Sequence, residues 1–238
     1  MSAEDNCQLI FDLPFCTGVA WSVPTNRRNQ TLTANLASLY DEQAESYMKN
    51  FTNSLALTAC ETTSTSQYSL AVNCTTCAAA YKEWLCAVTI PRCTDYFLPD
   101  AFLQARNVLS DFPDGRKLPP PQNQTEIDNR QSAFGNQSRN TWIDENVKPG
   151  PYKEILPCAG MCHRLVQNCP PALQFVCPLP GKGLERSYGP EGDNVQCNTI
   201  GAVYGQSVGS LIALPMMGYW STWSLLVSAV VVGGSILG

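Results

Sequence analysis

The chain has 238 residues, enough for one large domain or two small ones. Its net charge is -5 and it contains no cluster of lysine or arginine, which argues against nucleic acid as a partner. It contains twelve cysteines but only one histidine, His163.

The first 59 residues predict a short entry followed by a helix. Residues 1–28 carry Cys7 and Cys16 with Trp21 and Pro24, which indicates an irregular or short-strand segment. Residues 30–59 predict a helix. Their apolar residues recur at helical spacing: Leu32, Leu36, Leu39, Tyr40, Tyr47, Met48, Phe51 and Leu55.

The stretch "CTTCAAAYKEWLCAVTIPRC" predicts a second helix, from Ala71 to Thr89. It is rich in helix-forming residues and lacks Gly and Pro until Pro91, which ends it. Cys86 points to a different side from the apolar face, so we expect the helix to be stapled in two directions. The residues of that face are Cys74, Cys77, Tyr81, Trp84, Leu85 and Val88.

Residues 110–150 change in composition, because Pro, Asn, Gln and Gly dominate and cysteine is absent. This composition predicts a long, irregular, mobile and glycosylated insertion. Beyond it, "PCAGMCHRLVQNCPP" spaces Cys158, Cys162 and Cys169 on one helical face, and the following prolines end that helix. Residues 178–197 are rich in Gly and Pro, with Cys197 as the last cysteine.

The chain is therefore expected to form a cysteine-rich domain over residues 1–200, followed by an apolar tail over 201–238. From Leu211 to Gly238 the tail has no charged residue. Small residues precede it, as in a signal for a glycosylphosphatidylinositol (GPI) anchor. A membrane-spanning helix and a helix buried against a partner are the alternatives.

The cysteines indicate an oxidising compartment. Two all-cysteine zinc sites would use eight thiols and leave four, whereas six disulfides use all twelve. The sequence does not give the pairing. We predict disulfides at Cys7, Cys16, Cys60, Cys74, Cys77, Cys86, Cys93, Cys158, Cys162, Cys169, Cys177 and Cys197.

Sites for N-linked glycosylation support the same compartment. Asn-X-Ser/Thr sequons, the acceptor signal, favour passage through the endoplasmic reticulum to the extracellular face of the plasma membrane. Yet "MSAEDNCQLIFDLPFC" is no signal peptide, so we expect either a C-terminal part of a longer precursor or a truncated gene model. The five predicted acceptors are Asn29, Asn50, Asn73, Asn123 and Asn136.

No pattern in the sequence argues for an enzyme, a metal site or a cofactor. A redox role for Cys74 and Cys77 would need a preceding strand and an exposed thiol of low pKa, so two cysteines bonded elsewhere is the favoured interpretation. His163 alone makes a poor metal site, and no catalytic triad can be assembled without it. A small, helical, disulfide-stapled module that binds proteins remains.

Two stretches resemble a known family. "CTTCAAAYKEWLCAVTIPRC" is similar to the signature of the fungal stretch-activated calcium-channel regulatory subunits, the Mid family, whose metazoan relatives are auxiliary subunits of the sodium-leak channel. "PCAGMCHRLVQNCPPALQFVCP" resembles both that family and frizzled-type cysteine-rich domains. The similarity covers roughly residues 1–200, and the first stretch is the more specific.

The resemblance implies a mainly α, disulfide-rich, frizzled-like domain. It also implies a non-catalytic regulatory subunit that docks on the extracellular side of a four-repeat, pore-forming calcium-channel subunit and supports calcium influx. A frizzled-like ligand-binding domain and a GPI-anchored surface protein are the alternatives. Family members carry an upstream extracellular region and a signal sequence that this chain lacks, so any stretch response of that region cannot be assigned to these residues.

Overall fold

The computed structural model describes residues 6–61, 72–191 and 196–200. The chain divides into residues 1–202 and 203–238, and every described residue belongs to the first unit. The predicted apolar tail over 201–238 therefore lies outside the described residues. Within the described part, no helix has the length and apolar character needed to cross a membrane.

Helices form most of the regular structure of the described residues, and disulfides cross-link them, which confirms the prediction of a mainly α, disulfide-rich fold. The helices are α1 (Gln30–Ala34), α2 (Leu36–Ala56), α3 (Cys74–Thr89), α4 (Gln124–Gln131), α5 (Thr141–Asn146), α6 (Ala159–Asn168) and α7 (Leu184–Ser187). The strands are β1 (Cys7–Ile10), β2 (Trp21–Pro24), β3 (Arg92–Thr94), β4 (Leu103–Arg106) and β5 (Tyr152–Ile155).

The predicted helices form, with shifted boundaries. The helix predicted over 30–59 is interrupted at Asn35, whose N–H bonds to the carbonyl of Leu32, so that α1 and α2 are separate. The helix α3 begins at Cys74 because Asn73 and Thr76 form a capping box, each side chain accepting a hydrogen bond from the other residue's backbone N–H. Short-strand structure at the N-terminus is also found, as β1 and β2.

The strands form two small antiparallel sheets. Strands β1 and β2 pair as a hairpin, with Ile10 opposite Trp21. The second sheet has the order β3-β5-β4, which places β5 in the centre. Glu154 of β5 lies opposite Cys93 on one side and Gln104 on the other. A carboxylate therefore occupies the middle of this sheet.

One core joins the hairpin to α2, α5 and the end of α3. Trp21 and Tyr40 are buried there, together with Ile90. The Trp21 indole donates a hydrogen bond to the carbonyl of Ile90 at 3.1 Å, and the Tyr40 hydroxyl donates to the carbonyl of Pro24 at 2.8 Å. Both aromatic side chains thus bury their ring without leaving a polar atom unpaired.

The segment 110–150 is more regular than predicted. It contains α4 and α5, and Ile143 of α5 is fully buried in the first core beside Val147. Because polar residues dominate the composition of the segment, nothing in the sequence indicates that these two apolar side chains are buried. Asn140 caps α5 by accepting a hydrogen bond from the N–H of Trp142. The expectation of an irregular insertion is therefore wrong for α4 and α5 and holds for the rest of the segment, while mobility and glycosylation stay predictions.

The two ends of this segment lie side by side. Gly150 has φ +73, and a Cβ atom there would lie 2.7 Å from the carbonyl oxygen of Asp111. Only glycine combines this backbone angle with so close an approach. The segment thus begins and ends at one place, immediately before β5.

Candidate functional site

Six disulfides connect the twelve cysteines, and no cysteine is free. All pairs have Cα–Cα distances between 4.5 and 5.9 Å. The pairs are Cys7–Cys93, Cys16–Cys86, Cys60–Cys74, Cys77–Cys169, Cys158–Cys197 and Cys162–Cys177.

The helix α3 is the most heavily cross-linked element. Cys74 binds Cys60 at the end of α2, whereas Cys77 binds Cys169 at the end of α6. Cys86 binds Cys16 in the loop between β1 and β2. The two cysteines of the C-x-x-C motif are therefore bonded in different directions and not to each other.

The asparagines of the five sequons lie at the surface, where only Asn136 is partly covered. Three of them are helix N-caps, and in each the side-chain oxygen accepts a hydrogen bond from the backbone three residues on. These are Asn29, Asn73 and Asn123. Such a cap uses the amide oxygen, whereas a glycan attaches to the amide nitrogen.

A groove with a volume of about 670 Å³ opens between α2, α3 and the segment that follows α6. We call it the aromatic groove. It is lined by Tyr47, Asn50, Phe51, Ser54, Tyr81, Trp84, Leu85, Val88, Thr89, Arg139, Asn140, Leu173, Phe175 and Tyr188. A volume of this size and a largely apolar lining with a few polar groups are typical of a binding site.

Aromatic rings form one wall of the groove. Phe51 of α2 and Tyr81 of α3 are stacked with their centroids 3.6 Å apart. The ring centroids of Phe175 and Trp84 lie 5.9 Å and 5.5 Å, respectively, from the ring centroid of Tyr81. The Trp84 indole donates a 2.8 Å hydrogen bond to the Tyr188 hydroxyl, which fixes the ring. The wall is thus held by ring contacts from three separate parts of the chain.

Arg139 connects the groove to a buried ion cluster. Its Nε donates to Glu154 at 2.8 Å, and the Nε of Arg106 donates to the other oxygen of Glu154 at 2.6 Å. The side chains of Glu154 and Arg106 are 0% and 3% exposed. Remaining guanidinium donors bind the carbonyls of Phe134 and Ser187. Two cations and one anion are therefore held inside the domain with their hydrogen bonds largely satisfied.

The pKa of Glu154 shows how the two arginines act. Burial alone would raise the pKa of this carboxyl, but the positive charges of Arg106 and Arg139 outweigh burial and hold the pKa below its usual range. Burial raises the pKa of the Tyr81 hydroxyl in the groove, so this group stays protonated at neutral pH. The groove therefore offers neutral hydroxyl donors and aromatic faces beside the paired Arg139.

The sequence identified only part of this site. It placed Tyr81, Trp84 and Leu85 on the inner face of α3, and all three line the groove. Phe175 and Tyr188 carry no periodic signal, because they lie in irregular chain around α7. No side-chain group among residues 6–61, 72–191 and 196–200 has the composition of a metal site, and His163 is exposed.

Comparison with known families shows to which family the chain is related. A family model described as "Stretch-activated Ca2+-permeable channel component", the Mid1 family, matches residues 1–203. The chain belongs to the Mid1 family. No solved structure matches it, so the frizzled-like likeness is without structural support.

Two named relatives of the chain come from fungi. The chain is 41% identical over 210 residues to a Schizosaccharomyces pombe protein named stretch-activated cation channel yam8. It is 37% identical over 181 residues to the Saccharomyces cerevisiae stretch-activated cation channel MID1. These alignments cover 87% and 74% of this chain but only 37% and 27% of the relatives. The chain thus spans about a third of the length of the Mid1 relatives it matches.

Proposed function

We propose that the chain is the cysteine-rich part of a non-catalytic regulatory subunit of a plasma-membrane calcium channel. It docks on the extracellular side of a four-repeat pore subunit and supports calcium influx. The observation that carries this proposal is the match of the Mid1 family model, a Ca²⁺-permeable channel component, to residues 1–203.

Extracellular placement is supported by the covalent scaffold. Six disulfides are stable in an oxidising compartment and uncommon in the cytosol. The sequon asparagines lie at the surface, where glycans are accommodated. Attachment to the membrane through residues 201–238, as a GPI anchor or a membrane helix, belongs to the same proposal. Release of the protein from cells by a phosphatidylinositol-specific phospholipase would establish the anchor.

The direct test is co-purification of the pore subunit from native fungal membranes. We expect the tagged chain in its native precursor to retain a four-repeat pore subunit, and its deletion to reduce calcium uptake. If no pore subunit co-purifies and calcium uptake is intact after deletion, the proposal fails.

Paired charge substitutions sharpen this test by mapping the docking surface. Leu9 and Phe11 are 56% and 57% exposed on the hairpin, and Val176 and Leu179 are 81% and 66% exposed after α6. Neighbouring exposed apolar side chains are candidates for an interaction surface. We expect L9D/F11D or V176D/L179D to reduce retention of the pore subunit at least about tenfold, a loss of about 1.4 kcal/mol. Asn53→Asp on an exposed polar position is the control.

A frizzled-like ligand-binding domain is the second candidate function. The aromatic groove favours it, since its volume and lining suit a small apolar molecule such as an acyl chain. Mass spectrometry of organic extracts from the purified protein would detect a stoichiometric lipid. If no lipid is found, this second candidate fails and the channel proposal is unaffected.

A further inference from the structure

One predicted glycan acceptor lies in the wall of the aromatic groove. Asn50 is exposed on α2 and lines the groove, and it begins the sequon Asn50-Phe51-Thr52. Tyr47 and Ser54, three residues before and four residues after it, line the groove too. These spacings place all three side chains on one face of the helix.

Asn50 differs from the other helical acceptors. The side-chain oxygens of Asn29, Asn73 and Asn123 cap helices, and none of these asparagines lines the aromatic groove. Asn50 is in the second turn from the end of α2 and, within the part of the chain described, its side-chain amide makes no hydrogen bond. A sugar attached to Asn50 therefore starts at the groove.

We propose that the aromatic groove is occupied by the first sugars of an N-linked glycan on Asn50. This inference rests on the secretory part of the proposed function. The amide nitrogen of Asn50 forms a bond to C1 of the sugar of a lipid-diphosphate-linked oligosaccharide. The bond from C1 to the diphosphate breaks, the lipid diphosphate leaves, and the amide loses one proton.

The lining of the groove suits this occupant. An N-acetylglucosamine ring presents a flat C–H face, which packs against aromatic rings such as Tyr47 and Phe175. Its hydroxyl and N-acetyl groups need hydrogen-bond partners, and Ser54, Asn140 and Tyr188 lie in the lining. About 670 Å³ is within the range of sites for ligands as large as a disaccharide.

Attachment lowers the affinity that the groove needs. A short flexible tether gives an effective concentration of the order of millimolar, so a sugar with only millimolar intrinsic affinity would occupy the groove about half of the time. Occupation covers exposed aromatic surface that would otherwise remain open on the domain. The groove is then closed to the pore subunit, whose docking falls on another surface.

Hydroxyl-radical footprinting of the glycosylated full chain tests the inference. Glycopeptide mass spectrometry first measures occupancy of Asn50, and the oxidation rates of Tyr47 and Phe175 then report access to the groove. We expect T52V, which removes the sequon, to raise both rates several-fold. The matched control T31V removes the Asn29 sequon at an equally exposed helical position and leaves both rates unchanged. Phe11, exposed and remote in sequence, should react equally in all samples.

Enzymatic trimming separates the sugars from other occupants. Trimming to a single N-acetylglucosamine should keep most of the protection, and complete removal of the glycan should abolish it. The inference is overturned if Asn50 carries no sugar or if T52V and T31V behave alike. Protection that survives removal of the glycan assigns the groove to a lipid or protein partner and also overturns it. None of these results alters the co-purification test of the channel role.

Discussion

At the scale of single residues, Glu154 is unusual because its carboxylate is buried in the centre of a sheet. A carboxylate in the centre of a sheet loses its hydration, and only the close contacts to Arg106 and Arg139 offset that cost. Glu154 is the member that the other two depend on, because its removal would leave two guanidinium groups without a counter-charge. It ties β4 and β5 to the segment that carries α5 and lines the groove.

Neutralising Glu154 is expected to destabilise the domain strongly. In Glu154→Gln the two arginines face no counter-charge, and losses of about 3–5 kcal/mol are usual for a buried pair broken in this way. Urea unfolding monitored by circular dichroism measures the change. Glu45→Gln, whose side chain is 46% exposed in a surface pair with Lys49, is the control and should change stability by less than about 1 kcal/mol. Similar losses in both variants would contradict a structural role for the cluster.

The same carboxylate gives the domain a pH dependence at acid pH. Because the pKa of Glu154 is lower in the folded than in the unfolded protein, its contribution is fully present above about pH 4.3, the unfolded value. The contribution is lost as pH falls through the lower folded pKa. We therefore expect the free energy of unfolding of the unaltered protein to fall more steeply below about pH 4 than that of Glu154→Gln. Parallel curves would show that Glu154 is not responsible.

At the scale of elements, α3 organises the domain. It contacts both α2 and α6, and its cysteines connect it to three other parts of the chain. Its start is set by Asn73, which is also a predicted glycan acceptor. The effects of the cap and of a glycan can be measured separately, because the cap uses the side-chain oxygen of Asn73 and a glycan attaches to its side-chain nitrogen.

Substitution of Asn73 tests the cap. Asn73→Ala removes the cap of α3 and should lower the free energy of unfolding by about 1 kcal/mol, whereas Asn73→Asp keeps a capping oxygen and should be close to neutral. Both variants abolish the sequon, so loss of a glycan affects them equally. Thermal unfolding of the two proteins side by side gives the difference. Equal stability would show that the cap contributes little.

Removal of disulfides should distinguish long from short connections. C77A/C169A opens a separation of 92 residues, and C60A/C74A one of 14. The entropy of the unfolded chain predicts losses of about 4–5 and about 3 kcal/mol respectively. Cys60, Cys77 and Cys169 are buried and Cys74 is half-buried, so truncation to alanine leaves a cavity at both sites. Urea unfolding of each variant measures the order, and a larger loss for the short connection would contradict this account.

The sequence predicted the helices better than it predicted the contacts between residues that are distant in the chain. The apolar periodicity of α2 and α3, and the prolines that follow α3 and α6, gave these helices to within a few residues. The pairing of cysteines could not be obtained, since even eight cysteines allow on the order of a hundred pairings. Strands of three or four residues show too little alternation, and the contact between Arg106 and Glu154 joins residues 48 apart. The groove likewise depends on Phe175 and Tyr188, which only the folded chain brings to α3.

At the scale of the whole molecule, every cysteine is oxidised and paired in a disulfide. A thiol titration of denatured, unreduced protein should find close to zero free thiols, and the same protein after reduction should show twelve per chain. A zinc or dithiol protein would instead show several free thiols before reduction. Mass spectrometry of the unreduced digest should recover the six pairs, with Cys77–Cys169 as the most diagnostic cross-link.

That same cross-link has a consequence for biosynthesis. In the proposed secretory route the chain enters the endoplasmic reticulum from its N-terminus and presents Cys77 long before Cys169 has been made. At a synthesis rate of about 5–20 residues per second, the 92 intervening residues take roughly 5–20 seconds. During that interval the nearest thiols are Cys74 and Cys86, whose native partners Cys60 and Cys16 are already present. The native pairs form without rearrangement only if these earlier bonds close before Cys77 reacts; otherwise thiol–disulfide exchange must correct the pairing.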